Sequence, residues 1–470
     1  MLDLVVIGGG TAGLTAARLV ARGGKKVALV ERDRPGGDCL WTGCVPSKAL
    51  IHIAKLHHEA RTSARFGVHA TGVRLDFDAA RRHVAEAQKI AGRLDSPETV
   101  ASWGVELVHG EARFSNAQTL EAGGRKLIAK QFLIATGGRP AVPAIPGLAN
   151  AGFDTNIELL DWRTLPESLV IVGGGPMGVE FGQMMARFGV RVTIVQSGPR
   201  LLPREEPQAS ELLARTLAGE GIEVIIDARV SRVTTGGNQR RLEVDTPVGP
   251  RVAAAERLLV ATGRTPNIEG LALDAAGVRS TAKGITVDAQ LRTSQSHIFA
   301  AGDVNGGPQF THVAEDQART VARSILHGDS RFRRPPRWNG RVIPRVTYTD
   351  PEVASVGLSE EAARHHRKGV RSWTLSLTEV DRAVTMGATG GFFKLVTARG
   401  WQGRIPGLSK QTGDEIVGAC LVAPNAGDLL MPVVMAMRAR LPVGLVAWNM
   451  QAYPTLALGL RQVAGMSFDA

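Results

Sequence analysis

An apolar run, Leu2 to Ile7, opens the chain and is broken at once by three glycines. A short continuous apolar run bounded by glycine is the pattern of a buried strand. Apolar positions then recur at helical spacing (Leu14, Ala17, Leu19, Val20), and a second apolar run, Val27 to Val30, ends in Glu31. Strand, glycine turn, helix and strand make one βαβ unit. The same order returns in "SLVIVGGGPMGVEFGQMMARFGVRVTIVQSG", with strands predicted over 169–172 and 191–195. Much later, "DEIVGACLVAP" has an apolar strand pattern that places Cys420 in a core.

Each βαβ unit carries a G-x-G-x-x-G turn: Gly8, Gly10 and Gly13 in the first, Gly173, Gly175 and Gly178 in the second. Such a turn brings backbone close to a pyrophosphate at a helix N-terminus. Glu31 lies 18 residues after Gly13, near the spacing of a carboxylate that binds a ribose hydroxyl pair. In the second unit Gln196 stands where that acid would be, with Arg200 and Arg204 nearby. A neutral amide accepts the ribose without repelling a 2′-phosphate, and arginine pairs with phosphate, so NADPH is slightly favoured over NADH. Two dinucleotide units in one chain imply electron transfer between two cofactors, most simply FAD and a nicotinamide.

A length of 470 residues predicts two to four domains. Hydrophobic residues at 44% and charged residues at 21% fit a soluble globular enzyme. The net charge of +12 is scattered, with dense runs only at "RFRRPPR" (331–337) and "RHHRK" (364–368). Without aromatic–basic interleaving or a zinc pattern, a solvated surface is expected rather than nucleic-acid binding. The most apolar late segment, "LLMPVVMAMRARLPVGLVAW", is interrupted by Arg438, Arg440 and two prolines, so no membrane span is expected. The N-terminus has no basic n-region or cleavage site, so a cytoplasmic location is expected.

Cys39 and Cys44, in "GGDCLWTGCVPSKAL", are two of only three cysteines. Three cysteines make no disulfide framework, and a zinc site needs about four ligands, so no metal site is expected. The pair opens a helix predicted to run through "VPSKALIHIAKLHHEA". A thiol at a helix N-terminus has a lowered pKa. A disulfide there takes electrons from a flavin and passes them on by exchange.

This stretch, both glycine units and the C-terminal third resemble the class I pyridine nucleotide-disulfide oxidoreductases, among them lipoamide dehydrogenase, glutathione reductase and mercuric reductase. "FLIATGGRP" (132–140, with Thr136 and Gly137) and "LLVATGRTPN" (258–267, with Gly263) are similar to the family's two ATG signatures. "IFAAGDVNGGPQFTHVAEDQA" (298–318) resembles its second FAD motif, which implies that Asp303 binds the ribityl chain. "RVTYTDPEVASVGLSE" (345–360) and "VDRA" (380–383) look like its dimerisation domain. The resemblance implies an α/β fold with two Rossmann-like dinucleotide-binding domains and a C-terminal α+β dimerisation domain. Expected boundaries are 1–143 with 270–335 for FAD, 144–269 for NAD(P) and 336–470 for the interface, with the active site shared in a homodimer. By the same resemblance Cys39 is the interchange thiol and Cys44 the charge-transfer thiol. Lys48 sits near the flavin and pairs with Glu180, and His312 lies in the flavin neighbourhood.

The family's disulfide reductases end in His-Pro-Thr, with a glutamate five residues after the histidine, a dyad that serves the partner's site. Here "QAYPTLALGLRQ" puts Tyr453 at the histidine position and Leu458 at the glutamate position. Tyrosine, with a reference pKa of about 10, is a poor base at neutral pH. Losing general acid–base catalysis costs roughly 10²–10⁴ in rate, so exchange with lipoamide or glutathione disulfides is expected to be slow. Mercuric reductases are similar in having a tyrosine near this place. They also carry a C-terminal cysteine pair, and often an N-terminal metal-carrier domain. This sequence ends "QVAGMSFDA" and opens on the first glycine unit, so efficient thiolate relay of Hg(II) is not expected.

Trp41 replaces a residue that is often asparagine. "TARGWQGRIPGLSKQTGDE" (397–415) is longer and more basic than a tight turn, and is expected as a surface hairpin near the dimer interface. The function expected is an NAD(P)H oxidoreductase passing electrons through FAD and Cys39–Cys44 to a metal ion such as Hg(II) or Cu(II), a quinone or an unusual thiol. The alternatives are a dihydrolipoamide dehydrogenase with a substitute base, and a flavoprotein redox sensor or interaction protein.

Overall fold

The computed structural model describes residues 1–327, 335–400 and 413–468. The first apolar runs form parallel strands: Leu2–Ile7 lies between Val27–Glu31 and Arg125–Ile134, and Val105–His109 flanks Val27–Glu31. The chain leaves this sheet and returns with Ile298–Ala300, which pairs in parallel with Arg125–Ile134. A second parallel sheet runs Glu223–Ile225, Arg191–Val195, Ser168–Val172, Arg257–Val260. A third, antiparallel sheet of five strands fills the C-terminal part, in the order Pro344–Thr347, Glu352–Gly357, Glu415–Ala423, Phe392–Ala398, Arg371–Ser376.

The two glycine turns are built alike. Gly8 and Gly173 have φ of +104° and +117°. A Cβ on Gly13 would overlap the Gly8 carbonyl oxygen, and one on Gly178 would overlap that of Gly173. Helix and strand therefore pack at a distance only glycine permits. The helices Thr11–Arg22 and Pro176–Arg187 follow, each with a glycine N-cap that offers no side-chain hydrogen bond. Their first N–H groups are left for a ligand.

One hydrophobic core joins the elements around the dithiol. Leu50 and Ala54 of the helix Cys44–Thr62 share it with Ile171 and Met184 of the second unit and with Phe392 and Val422 of the C-terminal sheet. Cys420 lies in this core, 2% exposed, and burial pushes its thiol pKa up.

Buried ion pairs tie the second unit to the C-terminal sheet. Lys394 is 2.8 Å from Glu206 and 2.9 Å from Glu360. Glu205 meets Arg345 at 3.1 Å and also accepts from Ser355. The late apolar segment folds as two short helices, Met431–Ala439 and Gly444–Ala447. No helix among the described residues is long and apolar enough to cross a membrane. The insertion between Ala398 and Glu415 joins paired antiparallel strands, but its residues 401–412 lie outside the described residues, as do 331–334 of the basic run.

Candidate active site

The loop that carries Cys39 is seated directly on the first glycine turn. Gly36 N donates to Gly9 O at 2.8 Å. Gly37, at φ +61°, passes so close that a Cβ there would lie 2.7 Å from Gly10 Cα. Cys39 sits in its own short helix, Gly37–Trp41, and Cys44 is the first residue of Cys44–Thr62. The long helix therefore begins at the second cysteine, not at the first.

A cavity of about 1230 Å³ opens here. It is lined by Gly8, Gly10, Glu31, Cys39, Cys44, Lys48, Thr136, Gly137, Glu180 and Asp303. Gly13, Gly173, Gly175, Gly178, Gln196, Gly263 and Tyr453 are not on its wall. Gly13 packs beneath Gly8. At the second glycine turn, Gln196 Oε1 accepts from Gly174 N at 2.8 Å. Glu31 Oε2 does the same for Gly9 N at 2.6 Å. Gln196 is thus the positional equivalent of Glu31. Gly263, at φ +132°, lies between the strand Arg257–Val260 and the short strand that begins at Arg264.

The two thiols differ electrostatically. Hydrogen bonding from Cys39, aided by Thr311 and the Lys48 charge, holds the Cys44 thiol down at about 6. The Thr311 Oγ1 lies 3.6 Å from Cys44 Sγ. Hydrogen bonding to Cys44, with burial, pushes the Cys39 thiol up. In the reduced pair the charge therefore resides on Cys44, and Cys39 keeps its proton.

Lys48 Nζ is 2.8 Å from Glu180 Oε2. The other Glu180 oxygen accepts from Tyr348 N at 2.9 Å, and the Lys48 ammonium stands 4.7 Å over the Tyr348 ring. Burial opposes the Lys48 charge, but Glu180 outweighs it and the net shift is upward.

Motif reading missed two members of the site. Arg264 donates to Asp303 at 2.9 Å, to Gly138 O at 2.7 Å, and to Asp38. Asp38 is the residue before Cys39, so one guanidinium ties the dithiol loop to the wall that holds Asp303. Burial raises the Asp303 carboxyl while Arg264 opposes the rise. The arginine inside "ATGRTPN" and the acid inside "GGDC" were the only signals. His312 lines the cavity, stacked on Phe310 at 5.3 Å, with Nε2 3.0 Å from Pro344 O. Burial lowers its pKa. Trp41 donates to Pro35 O at 2.8 Å and lies under the Arg34 guanidinium at 3.6 Å, so its ring braces the loop.

Tyr453 is 69% exposed and does not line this cavity within one chain. Its hydroxyl donates to Asp381 Oδ2 at 2.9 Å. Leu458 offers it no polar group, and the carboxylate that orients it comes from 72 residues upstream.

Two dinucleotide turns, a cavity on the first of them that reaches the helix after the second, and a dithiol on its wall define a flavin- and nicotinamide-dependent disulfide oxidoreductase. The chain belongs to the pyridine nucleotide-disulphide oxidoreductases, whose model matches residues 2–318, with that family's dimerisation domain at 343–464. It is 34% identical over 468 residues to a mercuric reductase of Bacillus cereus, covering 99% of this chain and 71% of that one. It is 32% identical to a dihydrolipoyl dehydrogenase of Bacillus subtilis, covering 98% and 97%. Among solved structures it is similar to a Cu(II) complex of the HOCl-induced flavoprotein disulfide reductase RclA from Escherichia coli (TM-score 0.85, 28% identity, 99% and 100% coverage). Members of the family use FAD and NAD(P)H. The uncapped helix at Gly10, the bare backbone where Gly37 meets it and the acid at Glu31 fit the diphosphate and ribose of FAD.

Proposed function

We propose that this enzyme reduces a metal ion, Cu(II) or Hg(II), with electrons from NADPH by way of FAD and the Cys39–Cys44 pair. The single observation that carries this is the Tyr453–Asp381 hydrogen bond, which puts a donating phenol where disulfide reductases keep a base. Asp381 pushes the Tyr453 pKa up, further from that of a base at neutral pH. The mercuric reductase relatives and the structural likeness to a Cu(II)-bound reductase support the same choice.

FAD, held at the first glycine turn, would supply the two-electron chemistry that connects a nicotinamide to the disulfide. Lys48, fixed by Glu180, holds positive charge beside Cys44. Cys44 keeps the thiolate, and Thr311 hydrogen-bonds it. Cys39 meets the acceptor. Oxidation of the pair forms the S–S bond and releases two electrons and the single Cys39 proton. Those electrons reduce one Hg(II) to Hg(0) or two Cu(II) to Cu(I), and no proton is consumed. A disulfide acceptor needs two protons for its two sulfurs, which is the task of the absent base.

Gln196 with Arg200 and Arg204 supports NADPH as the donor, since none of the three repels a 2′-phosphate. The working unit is a homodimer in which Tyr453 of one copy faces the Cys39 side of the other. The domains divide at 1–143 with 270–335, 144–269 and 336–470. An acceptor comparison under anaerobic conditions tests the proposal. Turnover with Cu(II) or Hg(II) is expected to exceed that with lipoamide or glutathione disulfide, and the reverse order contradicts it.

A second reading, a dihydrolipoamide dehydrogenase with a substitute base, is favoured by His312. It lines the cavity beside Thr311, and burial lowers its pKa. In that case His312→Gln abolishes dihydrolipoamide turnover.

A further inference from the structure

Tyr348 touches both members of the ion pair beside the dithiol. Its backbone N–H donates to Glu180 Oε1 at 2.9 Å, and its ring centre lies 4.7 Å from the Lys48 ammonium. Its backbone is pinned in turn. Two residues on, Asp350 N donates to Gln183 Oε1 at 2.8 Å, and Asp350 O accepts from Gln183 Nε2 at 2.9 Å. The Asp350 carboxylate lies 3.1 Å from Arg187 and 3.5 Å from Lys55. Glu180, Gln183 and Arg187 share one face of the helix Pro176–Arg187, and Lys48 and Lys55 belong to Cys44–Thr62. The segment from Tyr348 to Asp350 is therefore fastened to both helices at once.

The two partners constrain Lys48 differently. The Glu180 side chain is 7% exposed and fixed, whereas that of Lys48 keeps 34% exposure. One ion pair sets the distance of the ammonium from the carboxylate but lets it swing round on a flexible four-carbon stem. The negative face of a ring on another side removes that freedom. Cys44 lies four residues before Lys48 on the same helix, so the swing decides how much positive charge its sulfur meets. We propose that Tyr348 is a positioning residue of the dithiol, its ring face holding the Lys48 ammonium toward Cys44 so that the thiolate of the reduced pair keeps its counter-charge. Glu180 and Cys44 are the other charges that face Lys48, Cys39 and Glu180 also face Cys44, and Glu352 faces the phenol. This role does not depend on which acceptor the enzyme serves, and its test contains no acceptor, so it stands or falls apart from the metal-ion reading.

The test is the Cys44 titration in FAD-loaded enzyme reduced by two electrons under anaerobic conditions. Two readouts are followed against pH: the long-wavelength absorption of a thiolate beside flavin, and the alkylation rate of Cys44, resolved from Cys39 by peptide mass spectrometry. Tyr348→Leu and Tyr348→Met, which fill the space without a ring, are each expected to lower the Cys44 ionisation constant roughly three- to tenfold. The midpoint then moves up from about 6. Tyr348→Phe keeps the ring and is expected to titrate as the unsubstituted enzyme does. In a Lys48→Met background the same Tyr348→Leu change is expected to move Cys44 no further, because its effect passes through the ammonium. A shift of equal size in that background would mean that Tyr348 acts by packing or solvent access alone, and overturns the positioning role. So does an unmoved midpoint in both ring-less variants, or a Tyr348→Phe enzyme that titrates as they do.

Discussion

The Lys48 ammonium lies 2.8 Å from the Glu180 carboxylate, across 132 residues of sequence. That contact links the helix that starts at Cys44 to the helix of the second glycine turn, and it sets the charge seen by the thiolate. Lys48 lowers the Cys44 pKa and Glu180 raises it. Lys48→Met is therefore expected to move the Cys44 titration upward from about 6, toward the ordinary thiol value of about 8.5. Rates of Cys44 alkylation against pH, read by mass spectrometry on reduced enzyme, check this. A midpoint that stays near 6, or falls, contradicts the assigned charge balance.

Lys394 is 4% exposed and pairs with Glu206, also buried. Removing one member of a buried pair leaves an unpaired charge and costs about 3–5 kcal/mol. Lys394→Met should lower the thermal midpoint by several degrees, and adding Glu206→Leu should restore most of it. In acid the network weakens by a separate route. The Lys394 hydrogen bond holds Glu360 at about 2, below its usual 4.5. Its contribution is whole above 4.5 and is lost as the pH falls through 2. Acid unfolding of a Glu360→Gln variant should lack that component.

Gln196 holds the Gly174 N–H as Glu31 holds that of Gly9. Gln196→Glu keeps this hydrogen bond and adds a negative charge. KM for NADPH is expected to rise about tenfold with kcat nearly unchanged, the signature of lost uniform binding. KM for NADH is expected to change little. Steady-state kinetics with both donors checks the prediction.

Tyr453→His with Leu458→Glu places a base and its orienting acid back in the C-terminal segment. Dihydrolipoamide turnover is expected to rise at least about tenfold, a fraction of the 10²–10⁴ range for acid–base catalysis. Cu(II) turnover is expected to fall in the same variant. A variant that gains nothing on dihydrolipoamide shows that something other than the base excludes such substrates.

Both glycine turns and the dithiol helix were legible in sequence because their causes are local. Apolar runs, glycine spacing and the position of Glu31 act within some thirty residues. Pairing Lys48 with Glu180 needed the family resemblance, and the geometry agrees with it. What was not legible is side-chain pairing set by tertiary packing. Asp381 reaches Tyr453 only because Gly459 lets one helix settle on Val380 and Phe393. Leu458, at the glutamate position, gives Tyr453 no polar partner, and Asp381 is the one the fold supplies. Arg264 likewise joins Asp38 to Asp303 across separate segments. The pair is expected to open the helix that runs through "VPSKALIHIAKLHHEA"; only Cys44 does so, while Cys39 lies in the short helix Gly37–Trp41 before it.

The most direct test of the central claim, that electrons leave Cys39–Cys44 for an acceptor needing no proton, is the proton balance of turnover. In weakly buffered solution with a pH indicator, each NADPH oxidised with Cu(II) or Hg(II) should release one proton. Disulfide reduction takes one up. Net release at a rate matching NADPH loss, faster than any disulfide supports, is the predicted result. Faster turnover with dihydrolipoamide's oxidised partner, accompanied by proton uptake, would contradict the claim.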